Sequence, residues 1–162
     1  WKETDVDGIF FMDDWGSQKN LLISPKMWRE IFKPLYVDYC RMIHDMGKFA
    51  FFHSDGFIYP ILGDLIEVGV NALNSQLFCM NIEEIGRQYK GKITFWGEVD
   101  RQRVLPFGTP EDVSEAVQRV RTSLEDVSGG MIAQCEWGIH DPAANIRCVY
   151  EAWETPIQNL AH

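Results

Sequence analysis

Phe49-Ala50-Phe51-Phe52-His53-Ser54-Asp55-Gly56, read together with the residues up to Leu73, decides the fold. Four apolar residues run into a polar tetrad. A helical stretch then continues from about Ile58 to Val68, Gly69 stops it, and a new apolar run opens at Val70-Asn71-Ala72-Leu73. A short continuous apolar run suits a strand buried on both faces, and a glycine after a helical stretch is a stop signal. The segment reads as one strand–helix unit handing the chain to the next strand.

The same grammar recurs on both sides. Further apolar runs stand at Gly8-Ile9-Phe10-Phe11-Met12, Ile93-Thr94-Phe95-Trp96 and Met131-Ile132-Ala133. Ser24-Pro25 opens a helix with an N-cap serine and a proline in the first turn, where its missing N–H costs nothing. Trp28, Ile31, Phe32, Leu35, Tyr39 and Ile43 are expected to form its apolar stripe, Pro34 to kink it and Gly47 to end it. Asn81-Ile82-Glu83-Glu84 opens another helix in the manner of a capping box, with a stop at Gly91. Thr109-Pro110-Glu111-Asp112 opens a third, with Val113, Val117, Val120, Leu124 and Val127 on one face. Asp141-Pro142 opens the last, which carries Ile146, Val149, Tyr150 and Trp153.

Five strand–helix repeats predict an α/β fold with a parallel sheet and right-handed crossovers. Two architectures compete, a doubly wound open sheet and part of an eight-stranded (β/α)8 barrel. Asp13-Asp14-Trp15-Gly16 comes after the first strand where a nucleotide-binding sheet would carry a glycine-rich turn, which weakens the first option.

Composition narrows the function. Among 162 residues, 15 Lys and Arg stand against 24 Asp and Glu, a net charge of -9, so a phosphate-tracking basic groove and hence nucleic-acid binding are not expected. The apolar runs are far shorter than the roughly 20 residues that span a bilayer, so no membrane role is expected. Cys40, Cys79, Cys135 and Cys148 show no CxxC spacing and read as reduced thiols of a cytoplasmic protein.

Active sites of parallel βα folds lie at the C-terminal ends of the strands. Here those ends carry Asp13 and Asp14, His53-Ser54-Asp55-Gly56, Asn74-Ser75-Gln76, Gly97-Glu98-Val99-Asp100 and Gln134-Cys135-Glu136. His53 and Asp55 are two residues apart, which in an extended segment puts both side chains on one face. Imidazole, carboxylate and the thiolate of Cys135 are all ligands for a borderline cation such as zinc, which holds a substrate thiol as thiolate at neutral pH. By spacing alone His-x-Asp is a weak metal signal, and packing is the plainer account of each: a strand-end histidine satisfied by backbone, a small buried cysteine. Glu98 is a candidate acid/base or a solvated loop residue. Asp14 is a candidate catalytic carboxylate or a cap of the Ser17 turn. Gln76 offers a donor and an acceptor for substrate, and Trp15 and Trp96 an aromatic wall, or else all three simply pack.

These residues resemble the uroporphyrinogen decarboxylase superfamily. The likeness is carried by Asp13-Asp14-Trp15-Gly16-Ser17-Gln18 with Leu22-Ile23-Ser24-Pro25 and Trp28-Arg29-Glu30, and by His53-Ser54-Asp55-Gly56 with Asp64-Leu65-Ile66-Glu67-Val68-Gly69-Val70. Ile93 to Asp100 and Leu105-Pro106-Phe107-Gly108-Thr109-Pro110-Glu111 extend it. The superfamily holds uroporphyrinogen decarboxylases of tetrapyrrole biosynthesis and cobalamin- or corrinoid-dependent methyltransferases acting on thiols. Its fold is a (β/α)8 TIM barrel of about twice this length. The resemblance therefore implies that residues 1–162 are a partial barrel domain holding its last five strands.

The thiol methyltransferases carry a His-x-Cys pair and a later Cys, all zinc ligands. His53 matches the first and Cys135 the last, whereas Asp55 replaces the middle cysteine. The resemblance thus implies a zinc site at His53, Asp55 and Cys135, a small-molecule substrate, and a methyl group delivered by a corrinoid on a partner protein. Decarboxylases lack this metal set and share Asp55-Gly56. A non-catalytic binding domain on the same fold is the third reading. Five βα units leave two sheet edges open, so completion by further strands or by a homodimer is expected.

Overall fold

A computed structural model describes residues 3–127 and 129–156. The chain forms two compact units, the first running to Ser75 and the second starting at Gln76.

In the first unit, β1 (Gly8–Met12), β2 (Phe49–Ser54) and β3 (Ala72–Ser75) pair in parallel, with α1 (Pro25–Ile31), α2 (Lys33–Asp45) and α3 (Tyr59–Glu67) between them. The register pairs Phe10 with Phe51, Met12 with His53 and His53 with Asn74, which puts these side chains on one face of the sheet. Ala50, Phe52 and Ser54 are fully buried on the other face, and Tyr36 of α2 packs edge-on against Phe52 at 5.3 Å between centroids. The expectation of strands buried on both faces holds for β3 but not for β2, where burial alternates and Phe49 is exposed. β3 also starts two residues after the apolar run begins, so that Asn74 and Ser75 are strand residues.

Ser24 caps α1 by accepting the Met27 N–H at 3.1 Å, as its sequence predicts. Proline has no N–H for the helical ladder, and the helix breaks at Phe32, two residues before Pro34. The apolar stripe keeps one helical phase across that break, on a face next to the expected one. Trp28, Tyr36, Cys40 and Ile43 are the buried set, whereas Ile31, Leu35 and Tyr39, expected in the core, are exposed. Asp64 of α3 ties the helices together: Arg29 donates to it at 2.9 Å and Lys33 at 2.8 Å.

The second unit starts with a 3-10 turn, Leu77–Cys79, then α4 (Ile82–Tyr89), β4 (Thr94–Trp96), a short α5 (Val104–Phe107), α6 (Pro110–Leu124), β5 (Met131–Ile132) and α7 (Ala143–Glu154). β4 and β5 are parallel, with Phe95 beside Met131 and Trp96 beside Ile132. Thr109 and Asp112 form a full capping box on α6, and Asn81 caps α4 through the Glu84 N–H. Val113, Val117, Val120 and Leu124 are buried as predicted, but Val127 lies past the helix end and is exposed. On α7 Val149 is buried and Tyr150 is exposed. Asn145, also buried, donates to the Leu105 and Gly108 carbonyls at 2.9 and 2.8 Å and so ties α7 to the end of α5. No helix among the described residues is long and apolar enough to cross a membrane.

Candidate functional site

The loop after β1 and the loop after β2 are held as one piece. Trp15 N–H donates to the Ser54 hydroxyl at 2.9 Å, Phe57 N–H to the Ser17 carbonyl at 2.7 Å, and Asp55 N–H to the Asp14 carboxylate at 2.8 Å. Gly16 and Gly56 cross at the centre, where a Cβ on Gly56 would meet the Gly16 carbonyl carbon at 2.4 Å. Gly56 also has φ +77°, a conformation that side chains disfavour. Beneath the first loop, the Trp15 indole N–H donates to the Tyr36 hydroxyl at 3.0 Å, and that hydroxyl donates to Asp13 at 2.8 Å. Burial, followed by the hydrogen bond to the Asp13 carboxylate, pushes the Tyr36 phenol well above its ordinary value, so it stays a donor.

This frame brings three of the predicted residues together. Asp14, His53 and Asp55 each offer one ligand atom, all within 4.8 Å of one another. His53 Nε2 lies 3.5 Å from Asp14 Oδ1 and 3.7 Å from Asp55 Oδ1. Zinc binds such atoms at about 2.0–2.2 Å, so tetrahedral ligands stand roughly 3.4 Å apart. The spacing around Nε2 fits that geometry, and one imidazole with two carboxylates suits zinc's preference for N and O ligands. Asp14, read from sequence as a catalytic carboxylate, thus stands with the metal candidates. Its carboxylate accepts the Asp55 N–H, and the Ser17 turn is closed instead by Ser17 and Asn20.

The other histidine nitrogen, Nδ1, lies 2.6 Å from Oδ1 of Asn74. Sequence reasoning placed Asn74 at a strand end but gave it no role; only the β2–β3 register sets it beside His53. Trp15 packs its ring on Phe32 at 4.4 Å between centroids and edge-on to Trp28.

The remaining predicted residues belong to the second unit. Gln76 and Glu98 are buried and Trp96 is half-buried. Gly97, at φ +74°, precedes Glu98 and lets Gln134 come close: a Cβ there would meet its Oε1 at 2.4 Å. Cys135 is half-buried, and burial followed by the carboxylates of Asp141 and Glu98 pushes its thiol up to about 11. None of the four cysteines, all of them among the described residues, is in a disulfide. Asp100 is a turn cap, accepting the Gln102 and Arg103 N–H groups at 2.9 and 3.0 Å, and Arg101 pairs with Glu136.

Comparison with known proteins fits this architecture. A methyltransferase from Methanosarcina mazei has a similar fold, with a TM-score of 0.70 at 17% identity; the match covers 91% of this chain and 42% of that one. The chain therefore spans less than half the length of that structure. No curated protein matches the sequence. The pattern of the uroporphyrinogen decarboxylase (URO-D) family matches residues 2–155, nearly the whole chain. That match, over parallel βα units, shows that the chain belongs to the uroporphyrinogen decarboxylase family.

Proposed function

We propose that this chain belongs to a metal-dependent methyltransferase that moves a methyl group between a corrinoid and a thiol. One observation carries the reading: the Nε2 atom of His53 and the carboxylates of Asp14 and Asp55 stand at ligand spacing. The fold shared with a methyltransferase supports it. Zinc held by these residues supplies the positive charge that keeps a thiol substrate as its thiolate at neutral pH.

Two carboxylates beside one imidazole make a harder and more negative seat than a thiolate-rich set, and they offset the charge of a divalent cation. Asp14 is more than half exposed, so the seat is open to solvent there, while His53, with 18% of its side chain exposed, is held from behind. Glu98, buried beyond β4, and Gln76, buried beyond β3, are proposed to serve substrate, as is Trp96.

Elemental analysis of the purified protein tests the proposal. About one zinc per chain, lost in His53→Ala, supports it; a metal-free protein that still folds overturns it. Cys135→Ser measured in parallel reports whether the second unit supplies a thiolate, as the family resemblance implies. Thiol methylation with methylcobalamin as donor tests the reaction class. Decarboxylation is the second reading, favoured by the name of the matched family and by Asp55-Gly56. Porphyrinogen turnover by metal-free protein would select it.

A further inference from the structure

We propose that Asn74 is a positioning residue that fixes the tautomer of His53, so that Nε2 presents its lone pair to the space between Asp14 and Asp55. The inference rests on the metal reading above for the role it gives that lone pair.

An amide oxygen only accepts, so a ring nitrogen 2.6 Å from Asn74 Oδ1 must carry the hydrogen. With Nδ1 protonated, the neutral ring has its open lone pair on Nε2, the nitrogen 3.5 Å from Asp14 and 3.7 Å from Asp55. Neutral histidine otherwise favours the hydrogen on Nε2, which would close that nitrogen to a cation. A metal-binding histidine needs its second nitrogen held by an acceptor, both to set the tautomer and to aim the ring.

The contact is built into the sheet. His53 and Asn74 are register partners on adjacent parallel strands, so their side chains rise from the same face. Asn74 is 8% exposed, which shields its oxygen from competing water. Phe10 flanks the imidazole edge-on at 6.3 Å between centroids and limits the ring's other orientations.

The test uses the full chain with histidine labelled in both ring nitrogens. Long-range proton–nitrogen spectra of metal-free protein at pH 9, above the ordinary titration range of histidine, show which nitrogen of His53 is protonated. Nδ1–H is expected in the unaltered protein and in Asn74→Asp, which keeps an acceptor in place. Nε2–H is expected in Asn74→Leu, which removes it. Zinc titration of the same samples is expected to show a loss of about 10–100-fold in affinity for Asn74→Leu and recovery in Asn74→Asp. An Nε2–H tautomer in the unaltered protein overturns the inference, as does an Asn74→Leu variant with unchanged tautomer and zinc affinity. Should Asn74→Leu fail to fold, the spectra of the other two proteins still decide. Failure of the unaltered protein to bind zinc overturns the metal reading and the ligand role of Nε2. The metal-free spectrum, which does not depend on the ion, tells that failure apart from failure of the Asn74 contact.

Discussion

Gly16 and Gly56 meet backbone to backbone with no room for a methyl group: a Cβ on Gly16 would lie 2.6 Å from the Gly56 carbonyl carbon, and one on Gly56 2.4 Å from that of Gly16. The crossing locks the loop bearing Asp14 against the loop bearing His53 and Asp55. Gly56→Ala must both displace backbone and hold a side chain at φ +77°. It is expected to cost on the order of 2–3 kcal/mol in urea unfolding. It should also weaken zinc binding, because the proposed seat is assembled only when the two loops touch.

Tyr36 supports the same loop from below, and its hydroxyl is the one group that both accepts from Trp15 and donates to Asp13. Tyr36→Phe keeps the ring that packs on Trp28 and Phe52 and removes only that bridge. Each lost hydrogen bond at a part-buried site is worth about 1 kcal/mol, so a loss of about 1–2 kcal/mol is expected. Thermal unfolding of the variant checks it. A neutral result would mean that water replaces the hydroxyl and that the loop carries its own rigidity.

Zinc added to metal-free protein should raise its melting temperature, since a ligand that binds only the folded state stabilises it by mass action. At a free zinc concentration 100 times the Kd the gain is about 2.7 kcal/mol. Asp14→Asn and Asp55→Asn are each expected to shrink that shift while leaving the unliganded stability within about 1 kcal/mol of the starting protein, because an amide oxygen at position 14 still accepts the Asp55 N–H and the Asp55 side chain is partly exposed. Equal shifts in all three proteins would place zinc elsewhere.

Much of this site was legible along the chain, and the part that was not has a physical cause. Asp13-Asp14-Trp15-Gly16 and His53-Ser54-Asp55-Gly56 announce themselves because chemistry in a βα fold collects where strands end. Spacing alone put His53 and Asp55 on one face. Joining Asp14 to them needed the glycine crossing, a contact between residues about 40 positions apart that no local pattern encodes. Asn74 stands at the end of the third strand in the sequence as well, but its place beside His53 follows only from the β2–β3 register, which no local pattern encodes. The segment from Trp28 to Ile43 carries apolar residues on two adjacent faces, so periodicity alone does not choose between them. Tyr36, Cys40 and Ile43 continue the phase set by Trp28 and are buried, whereas Leu35 and Tyr39, each one position earlier, are exposed. Packing against a sheet selects the face, and Trp28 and Ile43 alone satisfied both phases.

Acid should weaken the first unit through Asp64. Burial pushes its carboxyl up, but hydrogen bonds from Arg29 and Lys33 outweigh that and leave it below its ordinary value. A carboxyl whose folded-state value is depressed contributes stability that is present above the unfolded value, near pH 4, and lost as pH falls through the folded one. The window therefore lies below about pH 4. Asp64→Asn removes the charge at all pH values and leaves Lys33, only 20% exposed, with Glu67 as its acidic partner. A cost of about 1–2 kcal/mol is expected at pH 7, shrinking as pH falls below about 4 and the parent loses the same contribution. Glu83 in the second unit obeys the same sign, since hydrogen bonding to Arg119 lowers it to about 2. That pair is nearly half exposed and is worth at most about 1 kcal/mol. Urea midpoints of parent and Asp64→Asn at pH 7 and pH 3 separate the two: the gap between the proteins should narrow on acidification, and a gap that stays constant would show that Asp64 acts through packing and not through its charge.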